Sequence, residues 1–213
     1  MIYVVSGKDA DQYPDLMQQV HRLRHDVFVD ELGWSDLAND DRMETDQFDR
    51  PDAIHHISVR DDKVVGYQRM LPTLKPHLLS DVFPELCEGK APRAIDLYEL
   101  TRYCVAPAYR EGRRGVGSVG SELLTGFVEW GLDSGVNRII IEFETIWVLR
   151  ALQLKFLVRP LGFETRIGKQ KIVATQLGFN RATLKALREY QGHHNPVVSY
   201  LGEMEVEQKA LAS

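Results

Sequence analysis

Arg24, Phe28 and Trp34, then Asp46, Asp49 and Arg69, then Glu99 and Arg102, combine charge and aromatic character in the first half of the chain. Ionisable groups cost free energy near an apolar core unless they are paired. Acids and bases in near balance, with aromatic faces among them, suit a pocket for a ligand that itself carries both charges. Guanidinium groups bind carboxylates, carboxylates bind cations, and aromatic faces accept a flat ring or a cation. The segments Arg24-His25-Asp26-Val27-Phe28, Glu44-Thr45-Asp46-Gln47-Phe48-Asp49 and Glu99-Leu100-Thr101-Arg102-Tyr103 carry most of this chemistry.

The elements that must position these groups follow from periodicity. Residues 2–5 read as a strand. Residues 11–31 read as a helix, with Leu16, Val20, Leu23 and Val27 on one face and Arg24 one turn from Phe28. Residues 33–53 are polar and aspartate-rich and read as a long loop, of the kind that is functional or mobile. Strands at 54–60 and 63–71 are joined through Asp61-Asp62, and 74–93 is irregular with a helical turn near Leu78-Leu79. A strand at 95–105 leads to a turn rich in glycine and arginine at 110–117 and then to an amphipathic helix with Val119, Leu123, Phe127 and Trp130. Then come a strand at 138–143, a helix at 146–160, a strand at 171–179 and a helix at 181–191. This order predicts one α/β domain around a mixed sheet.

The 213 residues, with a hydrophobic fraction of 44%, suffice for a packed core, and a formal net charge of −5 argues against a general nucleic-acid binder. Cys87 and Cys104 form neither a zinc motif nor a disulfide framework, which suits a reducing, cytoplasmic compartment. The first residues do not read as a signal peptide, and no apolar run is long enough to span a membrane. No metal site is expected.

Residues 20–110 resemble the acyl-homoserine-lactone synthases, the LuxI-type autoinducer synthases. The resemblance rests on Arg24, Phe28 and Trp34 in Arg-His-Asp-Val-Phe-Val-Asp-Glu-Leu-Gly-Trp, Asp46 and Asp49 in Glu-Thr-Asp-Gln-Phe-Asp, and Arg69 in Arg-Met-Leu-Pro-Thr. It continues with Phe83 in Asp-Val-Phe-Pro and Glu99 and Arg102 in Glu-Leu-Thr-Arg-Tyr. It implies a single domain over 1–213 with the fold of the Gcn5-related N-acetyltransferases, a mixed twisted central sheet flanked by helices. Residues 1–110 would form the S-adenosylmethionine-binding and catalytic half and 111–213 the acyl and carrier half. The implied substrates are S-adenosylmethionine and an acyl thioester of acyl carrier protein or coenzyme A, with no cofactor.

On that resemblance Arg24, Phe28, Trp34, Asp46, Asp49 and Arg69 hold S-adenosylmethionine. Glu99 is the first candidate for the base that takes the amine proton, Asp46 the second, and Arg102 belongs to the same catalytic group. Glu99 and Arg102 are three apart, so a regular strand places them on opposite faces; if both serve one cluster, the strand must be irregular near 99–105. Phe83, Tyr103, Cys104, Val105, Phe143, Thr145, Ile146, Trp147 and Leu149 are candidates for the acyl and pantetheine site. In the turn Gly112-Arg113-Arg114-Gly115-Val116-Gly117, Arg113 and Arg114 are candidates for its phosphates. Arg110, Arg113, Arg114, Arg150, Lys155, Arg159 and Arg166 could meet an acidic carrier protein.

Simpler roles compete. Arg69, Glu99 and Arg102 can be structural ion pairs, Cys104 a small buried apolar residue, and the apolar residues of 141–160 core. His55-His56 and His193-His194 read as packing or surface residues. Two other functions remain open: an N-acyltransferase acting on another amine, which has no need of the Arg24/Phe28/Trp34 and Asp46/Asp49 set, and a non-catalytic acyl- or nucleotide-binding sensor.

Overall fold

The structure, a computed structural model, describes residues 1–111, 117–192 and 194–204. The turn with Arg113 and Arg114, and His193, lie outside the described residues. The chain forms two compact units interleaved in sequence: 1–70, 102–127 and 195 onward in one, and 71–101 with 128–194 in the other.

In the first unit β1 (Ile2–Ser6), β2 (Ile54–Arg60) and β3 (Lys63–Pro72) pair antiparallel in that order, and β9 (Val198–Tyr200) runs parallel to β1 on its other side. Asp61 and Asp62 both take left-handed backbone (φ 48° and 58°), which matches the twist of the β2–β3 hairpin. Helix α1 (Pro14–Arg24) starts on a proline whose fixed φ suits the first helical position. It buries Met17, Val20 and Leu23 with Val5, Val27, Phe28, Ile57, Tyr67 and Cys104.

The helix expected to continue to 31 instead becomes a π-helix over His25–Glu31. Leu32 N–H donates to the carbonyl of Val27, and Trp34 N–H donates to that of Phe28 across a still wider turn. Such widened turns re-aim side chains and recur at functional sites.

In the second unit the first part of β4 (Leu97–Val105) runs parallel to β5 (Arg138–Glu144). On the far side of β5 lies antiparallel β8 (Gln170–Gly178), which also pairs with β6 (Leu157–Pro160) and β7 (Thr165–Ile167). The helix expected over 146–160 is therefore only α4 (Trp147–Gln153). Lys155 then takes φ 66°, and the chain turns into β6. Among the supporting helices, α5 (Arg181–Gln191) opens on an Asn180 capping box and closes on left-handed Gly192. Helix α3 (Ser118–Asp133) starts just after Gly117, and α2 (Leu78–Asp81) is a single turn. With parallel and antiparallel pairs and these helices, the chain is of the mixed α/β class. No helix among the described residues is long and apolar enough to cross a membrane.

Candidate active site

Six buried or nearly buried charges meet in the first unit: Arg24 from the end of α1, Glu44, Asp46 and Asp49 from the loop before β2, Arg69 from β3 and Arg102 from β4. Arg24 forks onto Asp49, Nη1 to Oδ1 at 2.7 Å and Nη2 to Oδ2 at 3.0 Å, and its Nε donates to Glu44. Arg69 forks onto Asp46 at 2.7 and 2.8 Å and also bonds Asp49. Arg102 bonds Glu44 through Nη2 at 3.0 Å and reaches Asp46 Oδ2 at 2.7 Å. Three guanidinium groups and three carboxylates thus balance, which is the condition under which charges tolerate burial.

The loop is shaped for this. Asp46 Oδ1 accepts from the N–H of Phe48 at 2.8 Å, and Asp49 Oδ2 accepts from the N–H of Asp46 at 2.9 Å. Each aspartate therefore fixes the turn that presents the other. The Glu44 N–H donates to the carbonyl of His21, and the His21 ring Nδ1 hydrogen-bonds the carbonyl of Glu44, which ties the loop to α1. So the segment expected as a long loop, functional or mobile, is tied in place around 44–49 by its own site residues. Burial alone would raise the three acids. The arginines override it, holding Glu44, Asp46 and Asp49 all below the usual carboxylate range. Glu44, within the same motif, is a site residue that the sequence analysis does not assign. Its spacing of two from Asp46 was the available signal.

Phe28 is buried, and Trp34 lies stacked on its ring while remaining 42% exposed. The guanidinium carbon of Arg102 sits 5.5 Å from the Phe28 ring centre. Arg102 holds φ 54°, left-handed in mid-strand, and the burial alternation of β4 is lost over Glu99, Leu100 and Thr101. The expected irregularity of this strand is present. A non-glycine residue held in that region costs of order 1 kcal/mol and persists only where its surroundings fix it. Glu44, Asp46 and Phe28 do so here.

In the second unit Glu99 is fully buried. Its Oε2 accepts from the N–H of Leu78 and its Oε1 from that of Leu79, both at 2.7 Å. Leu97, Ile140, Ala174, Leu79 and Leu86 form the apolar cluster of this unit, with Phe83 packed against it. Phe143 and Thr145 are half-buried. Ile146, Trp147 and Leu149, candidates for the acyl site at the start of α4, are exposed, as is Leu152, so the competing role as core does not hold for these four. Cys104 lies in the core of the first unit, with half-buried Val105 and exposed Tyr103 on either side. Arg110 bonds Glu31 and the carbonyl of Val105.

The autoinducer synthase family profile matches residues 8–187, spanning both the ion cluster and the Glu99 strand. The chain belongs to the autoinducer synthase family. A relative, the isovaleryl-homoserine lactone synthase of Bradyrhizobium diazoefficiens, is 32% identical over 193 residues, 90% of this chain and 86% of the relative. The solved structure of a CoA-dependent acyl-homoserine lactone synthase, BjaI, with SAM and isopentyl-CoA, matches with a TM-score of 0.88 at 30% identity, covering 100% of this chain and 99% of the other. A putative N-acetyltransferase from Lactobacillus plantarum matches at TM-score 0.55 and 19% identity over 84% of this chain and 98% of the other, a likeness of fold alone. Membership of this family makes the protein an acyltransferase.

Proposed function

We propose that this autoinducer synthase acylates the amine of S-adenosylmethionine from an acyl thioester. The methionine carboxylate then closes onto its own γ-carbon, releasing the acyl-homoserine lactone and methylthioadenosine. The observation that carries the reading is the neutral cluster of three arginines and three carboxylates beside the Phe28–Trp34 stack. A ligand with a carboxylate, an ammonium, a sulfonium and a purine finds complementary groups there: Arg24, Arg69 and Arg102 for its acid, Asp46 and Asp49 for its cations, and Trp34 for a flat ring or a sulfonium.

Glu99 is the base of this reading. Asp46 is a poor acceptor, since Arg69 and Arg102 hold it ionised and weakly basic. Glu99 is buried and oriented by two backbone N–H groups, so it is held in place to take the amine proton directly or through one water. Phe83, Phe143 and Thr145 are the acyl-site candidates, and a coenzyme A thioester of a short branched acid is the donor we favour. The likeness to a CoA-dependent synthase and to an isovaleryl-homoserine lactone synthase supports it. The reaction belongs in the cytoplasm, where both substrates arise.

The test is incubation with S-adenosylmethionine and a panel of acyl-CoA and acyl-carrier thioesters. Methylthioadenosine, free thiol and lactone should appear in equal amounts. Acylation of another amine without methylthioadenosine, or binding without turnover, overturns the reading.

A further inference from the structure

Glu142 presents a second carboxyl on the sheet face that carries Glu99. The β4–β5 ladder pairs Leu97 with Arg138, Tyr98 with Ile139 and Glu99 with Ile140, and goes no further among the described residues. Strand β5 nevertheless runs on to Glu144, so Glu142 stands two residues past the point where the strands part. By alternation it shares its face with Ile140 and Glu99, and across β8 it meets Ala174. Glu142 is half-buried, and its Oε1 is sealed from solvent with no hydrogen-bond partner among the described residues.

An ionised carboxylate in such a position has no compensating charge. The titratable groups facing it are Glu99 from β4 and Cys87 from the segment after Pro84–Leu86; Glu144, next on its own strand and face, is bonded to Gln170. Burial, and then the neighbouring Glu99 carboxylate, push its proton affinity well above that of an ordinary carboxyl. One carboxyl ionised and a second protonated beside it is the pattern that separates a base from an acid in one site.

We propose that Glu142 is the general acid that protonates the departing thiolate. This rests on the reading of Glu99 as the base. Glu99 takes a proton from the ammonium, and the freed amine forms the C–N bond at the thioester carbonyl. The C–S bond breaks with its electron pair on sulfur, and the Glu142 O–H delivers its proton to that sulfur. The proton on Glu99 then passes to Glu142, restoring the pair. The remaining proton on nitrogen goes to water, so one proton is released per thiol formed.

The test compares two donors of the same acyl group, a thioester of N-acetylcysteamine and one of 4-nitrothiophenol. The first leaves as a basic alkyl thiolate that needs a proton; the second is stable without one. Glu142→Gln should slow turnover of the alkyl donor about 100-fold and leave the aryl donor within about threefold of wild type. Glu99→Gln should slow both. Equal slowing of both donors by Glu142→Gln, or no slowing of the alkyl donor, overturns the proposal. Wild-type rates in Glu99→Gln instead overturn the base and leave the Glu142 comparison standing. If Glu142→Gln shows no melting transition, a series of leaving thiols with the wild-type enzyme decides: a shallow dependence on thiol acidity supports the acid, a steep one contradicts it.

Discussion

Trp34 stacks on Phe28 with ring centres 5.1 Å apart and planes 23° from parallel. One ring is sealed in the core and the other is partly open to solvent, so the pair joins the packed interior to an outward aromatic face. Offset aromatic pairs and cation–π contacts are each worth about 1 kcal/mol.

Trp34→Ala should therefore weaken S-adenosylmethionine binding by roughly five- to tenfold and lower the melting temperature without unfolding the protein, because the stack on Phe28 is lost as well. Calorimetric titration checks this. Unchanged affinity removes Trp34 from the site.

Arg69→Leu should cost about 3–5 kcal/mol in chemical denaturation, since it leaves Asp46 and Asp49 buried with fewer partners. A loss below about 1 kcal/mol, on the scale of a surface pair, would mean that the cluster is not holding the fold.

Acid should destabilise the protein in two stages. Burial lowers His55 and His56 to about 3, so below about 6.5 the unfolded chain takes up protons that the native state refuses, and stability falls with pH. At pH 5 the loss is about 2 kcal/mol per histidine. Glu44, Asp46 and Asp49 have native values depressed by the arginines, so their contribution is present above about pH 4 and lost below it. Melting temperatures measured from pH 7 to 3 should fall in both ranges, and His55→Gln should flatten the upper one. A flat profile between pH 7 and 5 contradicts neutral burial of these rings.

The strands at 54–60 and 63–71, the hairpin between them and the helix at 181–191 were legible because alternation, turn residues and caps agreed locally. Arg24, Asp46, Asp49, Arg69 and Arg102 were legible as a set because charge at fixed local spacing survives without a structure. The π-helical turn of His25–Glu31 was not, since it preserves helical composition and differs only in which carbonyl each N–H meets. Strands β6 and β9 are short and pair with segments away from them in sequence, and β7 is only three residues, paired across Gly168-Lys169 with β8. The apolar run at 146–160 fits a helix and a strand alike, and left-handed Lys155 decides between them. Glu142 is an ordinary strand position in the sequence, and only the end of the ladder beside it sets it apart.

Glu99→Gln is the most direct measurement. It replaces one accepting oxygen by an amide that faces the N–H of Leu78 or Leu79, so a stability loss of about 1–3 kcal/mol is expected and assays belong well below its melting temperature. S-adenosylmethionine should still bind, turnover should fall by about 10²–10⁴-fold at neutral pH, and part of it should return at high pH, where the amine is already free. Asp46→Asn, run in parallel, should lose binding without that recovery. Recovery at high pH in Asp46→Asn alone would contradict the assignment of Glu99 as the base.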